Sequence, residues 1–235
     1  MTAERVQDGG ARRGRPPETD EQRARRRLAI SRHAVRLFRE HGVVETTGGE
    51  IARAAGVSER TLWRLFRAKE ACVEPVLTIA LHDFVAVLRS WPAHLELDEH
   101  LRSAYGVELS ASLDDAGTVL AVVRMTRDEP GLRAIWLVLH ERAEPTIAEA
   151  LAARLGRPVD DLDVRLRAAA VNAALRVLTD DLAWSVADNA VTTAVLEHHR
   201  DRLAETLRIL TRLPDEARPG EPDARDGFVT SGHPQ

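Results

Sequence analysis

Three features of the 235-residue sequence predict an all-α fold of about nine helices, a three-helix helix-turn-helix unit followed by a larger helical body. Apolar residues recur three and four apart through most of the chain. No run of alternating β-branched residues lies between hairpin turns. Pro130, Gly156, Pro158 and Pro214 punctuate the periodic stretches. The composition is 44% hydrophobic and 30% charged, which suits a packed core under a solvated surface.

Residues 1–19, rich in Gly, Pro and Arg and without a hydrophobic period, read as a disordered basic arm. Residues 214–235, with Pro214, Pro219, Gly220, Pro222, Gly227 and Pro234, read as a disordered tail. The helix-turn-helix unit is expected over 20–68, its motif over 47–66, and the body over 69–213.

The first helix is expected from about Asp20 to His41, where Ile30, Ala34, Leu37 and Phe38 share a face and Gly42 ends it. Thr47 and Glu50 form a T-x-x-E capping box for a second helix. Gly56 breaks that helix, and Ser58 caps a third from Glu59 to Phe66, with Leu62 and Phe66 inward. A long helix is expected from Lys69 to about Trp91, with Leu77, Leu81, Phe84, Val85 and Leu88 inward. Further helices are expected near 97–112, 116–128, 131–155, 161–187 and 190–212, the third kinked or split at Pro145.

Net charge is −4, but its distribution is uneven. Residues 1–70 hold 16 basic and 10 acidic side chains, and the rest of the chain holds 17 and 27. A basic head on an acidic body fits a phosphate-binding module, and also a merely solvated charge run. The span from Thr47 to Phe66 suits a helix-turn-helix that sets Ser58, Glu59, Arg60 and Thr61 against base edges. The same pattern would serve an ordinary helical hairpin. Arg12, Arg13 and Arg15 could reach an adjacent minor groove or stay solvated. Arg23, Arg25, Arg26 and Arg27 start the first helix near where phosphates would lie.

The stretches Ile30–Gly42 and Thr46–Glu70 resemble the DNA-binding domain of TetR-family repressors, in a pattern running through roughly residues 20–75. The matching features are Leu37–Phe38, Gly42, Thr46–Thr47, Ile51–Ala52, the turn Ala55-Gly56-Val57-Ser58, Thr61-Leu62-Trp63, and Phe66 with Lys69–Glu70. The resemblance implies DNA contacts from Thr46, Thr47, Ser58, Glu59, Arg60, Thr61, Trp63, Arg64 and Lys69, joined by Arg13 and Arg15 of the arm. Lys69, the only lysine, would meet a phosphate. Trp63 stands where the family usually has Tyr, and Leu65 where it commonly has Tyr or His. Gly48 and Gly49 replace an apolar and a polar residue, which predicts a loosely seated second helix.

A two-fold dimer would read two half-sites. Leu166, Ala169, Ala170, Ala173, Ala174 and Val177 offer one stripe, and Val195, His199, Leu203, Thr206, Leu207 and Leu210 another. The resemblance implies that these last two long helices make a four-helix bundle between protomers; an internal core would use the same stripes. The middle helices would enclose a cavity for a small-molecule effector, with candidate contacts His82, Tyr105, Arg124, Trp136, His140, Asn172 and Trp184.

Catalytic, P-loop and dinucleotide signatures are absent, so no enzyme and no cofactor is expected. Glu197, His198 and His199 are adjacent on a helix and cannot chelate together, so no metal is expected. The single Cys72 excludes an internal disulfide and reads as a small buried hydrophobe before a redox sensor. With no uninterrupted apolar segment near 20 residues and no signal-peptide core, no membrane partner and a cytoplasmic location are expected. The functional expectation is a repressor released from a palindromic operator by an effector. The alternative is an effector-independent activator or architectural DNA-binding protein.

Overall fold

The computed structural model describes residues 18–92, 94–111, 113–186 and 191–211, with the backbone course alone at 105–111 and 113–114. The tail read over 214–235, and all of the arm but Glu18 and Thr19, lie outside the described residues. In order come α1 (Asp20–His41), α2 (Gly48–Ala54), α3 (Glu59–Leu65), a 3₁₀ turn (Glu70–Val73), α4 (Glu74–Arg89), α5 (Leu97–Ala111), α6 (Leu113–Met125), α7 (Pro130–Leu155), α8 (Leu162–Ser185) and α9 (Thr193–Thr211). The class is all-α, and no strand occurs among the described residues.

Local chemistry explains the starts of the first three helices. Thr19 with Gln22 and Thr47 with Glu50 form reciprocal capping boxes, and Ser58 accepts from the Thr61 backbone N–H. The Thr47 bonds hold the Glu50 carboxyl below the ordinary carboxylate range. Between α2 and α3 the chain reverses at Gly56 with φ +65°, a left-handed conformation that glycine adopts without a Cβ clash.

Ile30, Ala34 and Phe38 of α1 enclose the head's core with Ile51 of α2 and Leu62 of α3. That core continues without a break into the body through Cys72, Val73 and Leu77. Helix α4 lies among α1, α5, α6 and α7, while α8 packs on α6, α7 and α9, and α5 on α9.

Two expectations need correction, and one segment carries a signal that the sequence reading did not weigh. The helix expected from Lys69 begins as a 3₁₀ turn, and α-geometry starts at Glu74 with Pro75 in its first turn. Proline lacks an N–H, so it is accommodated most easily in a first turn, where no intrahelical donor is needed. Pro145 does not split α7; it sits on the exposed side, where water can serve the carbonyl it leaves free. Glu70–Arg89 is long and apolar enough to cross a membrane by composition alone, a signal that uninterrupted apolar runs miss. Half of it is buried in the fold, and Val76, Leu77, Leu81, Phe84, Val85 and Leu88 place it as a core helix.

Candidate nucleic-acid interface and body cavity

Leu62 and Leu65 anchor α3 inward, leaving Glu59, Arg60, Trp63 and Arg64 exposed beside Ser58 and the half-buried Thr61. The Ser58 and Thr61 hydroxyls are 2.9 Å apart. Thr47 is exposed, its hydroxyl engaged with Glu50 at 2.8 Å. Arg13 and Arg15 lie outside the described residues.

Trp63 is packed edge-on against the start of α2. A Cβ at Gly48 would come within 2.1 Å of the Trp63 ring, so the buried glycine vacates the space the indole fills. The indole therefore stands in for the missing apolar anchor of α2, and the loose seating expected from Gly48 gives way to a fitted contact. A Cβ at Gly49 would come within 2.7 Å of the Glu59 carboxylate.

Two expected contact residues are occupied elsewhere. Thr46 is fully buried and its hydroxyl donates to the Gly42 and Leu37 carbonyls at 2.7 and 3.3 Å. The Lys69 ammonium donates to the Val43, Val44 and Thr46 carbonyls at 2.6, 2.8 and 2.9 Å. An ammonium has three N–H donors, so Lys69 clamps the α1–α2 loop and has none left for a phosphate. Three of the four first-helix arginines are likewise engaged. Arg25 pairs with Glu21 and Arg26 with Glu18. Arg27 donates to the Leu65 carbonyl at 2.8 Å, pairs with Glu74 and lies 4.6 Å over the Phe66 ring, tying the end of α3 to α4.

In the body, a cavity of about 120 Å3 lies among α4, α6, α8 and α9, lined by apolar side chains with Asp83, Asp115, Thr179 and His199. A larger open cleft of about 1200 Å3 runs between α1, α4 and α7. Of the seven candidate ligand contacts, Trp136 lines the cavity and His82 the cleft. The Trp136 N–H donates to buried Asp180, which also accepts from Arg133. His140 and Asn172 pair with each other, His140 Nδ1 donating to Asn172 Oδ1 at 2.7 Å and Asn172 Nδ2 to the His140 carbonyl at 2.9 Å. Burial lowers the His140 pKa to about 4. Arg124 donates to the Ala183 and Val186 carbonyls and so caps the end of α8, where a guanidinium complements the helix dipole. Trp184, exposed on α8, donates to the Val123 carbonyl at 3.3 Å. Tyr105 is on α5, and its side chain lies outside the described residues.

His199 was expected on a dimer face, yet it is only 8% exposed and lines the cavity. Leu203 and Leu207 of the same stripe are buried within the chain, in contrast to the reading of that stripe as a protomer contact. On α8, Leu162, Leu166, Ala173, Val177 and Trp184 form an exposed apolar face. Cys72 is fully buried, which raises its thiol pKa to about 12 and removes the reactivity of a redox sensor. Among the described residues no three His, Cys, Asp or Glu side chains are grouped to hold a metal.

The geometry is that of a capped helix-turn-helix presenting the outer side of α3, set on a helical body. Residues 30–76 match the family model for bacterial regulatory proteins of the tetR family. It is 31% identical over 143 residues to the HTH-type transcriptional regulator TcmR of Streptomyces glaucescens, a match covering 58% of this chain and 63% of that protein. The match thus spans less than two thirds of that relative. Among solved structures, Thermus thermophilus FadR in complex with lauroyl-CoA shares the fold, with a TM-score of 0.52 and 24% identity over 83% of this chain and 100% of that one. Salmonella enterica GusR does so with a TM-score of 0.52 and 20% identity over 81% and 98%.

Proposed function

We propose that the protein is a cytoplasmic repressor that binds a palindromic operator as a homodimer and is released by a small-molecule effector. The observation that carries this reading is the junction of α3 with the body. Arg27 links the Leu65 carbonyl to Glu74, so a displacement of α4 moves the groove-facing helix. The cavity is lined by the same α4, through Val76, Ile79 and Leu81, so a ligand there bears on the DNA-reading unit. That favours the effector-responsive reading over an effector-independent activator or architectural binder.

In this reading Ser58, Glu59, Arg60, Thr61, Trp63 and Arg64 enter the major groove, with Arg60 at a guanine edge and the Trp63 N–H at a phosphate. Thr47 and the arm residues Arg13 and Arg15 contribute flanking contacts. The exposed α8 face supplies the dimer contact. Regulation follows from linkage, so effector and DNA weaken each other's binding by the same factor.

The test is fluorescence anisotropy on duplex from upstream of the protein's own coding region, with and without a small-molecule extract of its cells. Sequence-dependent binding reversed by the extract is expected. Binding that ignores both sequence and extract would overturn the reading.

A further inference from the structure

Among the described residues His199 stands apart on the cavity wall. It is 92% buried and has no hydrogen-bond partner. The other polar groups there are satisfied or solvated. Thr179 donates to the Leu175 carbonyl at 2.8 Å, Asp115 is held by Arg32 at 2.9 Å, and Asp83 is exposed. The His199 ring nitrogens therefore keep unused hydrogen-bonding capacity that a ligand group in the cavity can meet.

We propose that this cavity takes a neutral, single-ring-sized apolar molecule carrying one hydroxyl group, hydrogen-bonded by His199. The inference rests on the effector reading and names the ligand class. Size comes first: a cavity of about 150 Å3 holds benzene, and this one, about 120 Å3 and partly open to solvent, is of that single-ring scale. Charge comes next. Among the described residues no Lys or Arg lines the cavity, Asp83 adds a negative charge, and Arg32 is already taken up by Asp115, so an anionic ligand finds no free counterion. Burial holds His199 neutral at pH 7, so it offers one N–H donor and one lone pair. A hydroxyl group is complementary to both. A cationic ligand gains little in return for leaving water, because Asp115 is already paired with Arg32 and Asp83 is exposed to solvent.

The probes are phenol, toluene, benzylamine and benzoate, titrated calorimetrically into the full chain and into His199→Leu and His199→Gln. Phenol is expected to bind the unmodified chain about tenfold more tightly than toluene, the worth of one buried hydrogen bond. Benzoate and benzylamine are expected to bind more weakly than either. His199→Leu should reduce the phenol preference to below about threefold, and His199→Gln, which keeps a donor and an acceptor, should restore most of it. Far-UV circular dichroism of each variant confirms that it is folded.

Equal affinity for phenol and toluene, tighter benzoate or benzylamine, no binding of any probe, or a preference unchanged in folded His199→Leu would each overturn the proposal. Release of DNA by the cell extract is read separately. If it persists while the probes fail, the ligand class is wrong and the effector reading stands; if it is absent too, both fall.

Discussion

Replacing Gly48 with alanine sets helix propensity against a collision, and the structure says which wins. An alanine Cβ would lie 2.1 Å from Trp63 Cζ2 and 2.6 Å from Cη2. Carbon atoms pack at about 3.5–4.0 Å, so the ring must withdraw by more than about 1 Å. Overpacking of this kind costs about 1–3 kcal/mol. Trp63 is 44% exposed and can swing outward, which places the cost near the low end of that range. Alanine returns at most about 1 kcal/mol of helix propensity, and less in a first turn. Gly48→Ala should therefore destabilise by about 1 kcal/mol. In a Trp63→Ala background the obstacle is gone, and the same change should stabilise by about 0.5 kcal/mol. Urea unfolding of the four proteins, at one protein concentration, measures the coupling as about 1.5 kcal/mol. A Gly48→Ala change that stabilises equally in both backgrounds would refute the fitted contact.

Lys69→Met should destabilise by about 1–3 kcal/mol, because it strips the clamp from three loop carbonyls; thermal unfolding checks it, and a salt slope of DNA binding lowered by a full phosphate contact would show that the ammonium does reach DNA. Leu166→Glu together with Val177→Arg should yield monomers with weakened operator binding, read by analytical ultracentrifugation; an unchanged sedimentation profile would place any dimer contact elsewhere than on α8. Acid should destabilise the fold through His140 and His199, both lowered from 6.5 to about 4. Burial is the first cause in each; Asn172, Arg176, Asp180 and Arg133 face His140, and Arg202, Asp181 and His198 surround His199. Because the unfolded chain binds these protons first, stability is complete above about pH 6.5 and falls toward pH 4, by up to about 1.4 kcal/mol per pH unit for each histidine. Urea midpoints across that window measure the slope, which His140→Gln should reduce; a slope indifferent to that substitution would contradict the assigned burial cost.

Much of the head was legible because its signals are local. Thr47 with Glu50, Gly56 and Ser58 each act within a few residues of where they stand, and the structure uses each as a cap or turn. Long-range pairings were not legible. Nothing near Gly48 in sequence announces that Trp63, fifteen positions on, fills its missing side chain. Lys69 carries its charge openly, but only the fold shows three carbonyls from the α1–α2 loop converging on it. In the body, periodicity identified apolar stripes without saying which partner each meets. The stripe through His199 and Leu203 turned out to be internal, while Leu166 and Val177 stay outside. Arg124 and Asn172 interrupt apolar helices, as a ligand contact would, yet Arg124 caps α8 and Asn172 pairs with His140. An imidazole inside an apolar stripe was the available signal for His199, and one sequence could not tell cavity wall from protomer contact.

Selection of bound duplexes from a random DNA pool addresses the groove-reading role of α3 most directly. The account predicts a two-fold-symmetric site whose half-sites lie about 34–36 Å apart or a multiple of that, and Arg60→Ala should relax one base position in each half. A pool that remains random, or a selected site whose sequence is unaffected when Arg60 is removed, would contradict it.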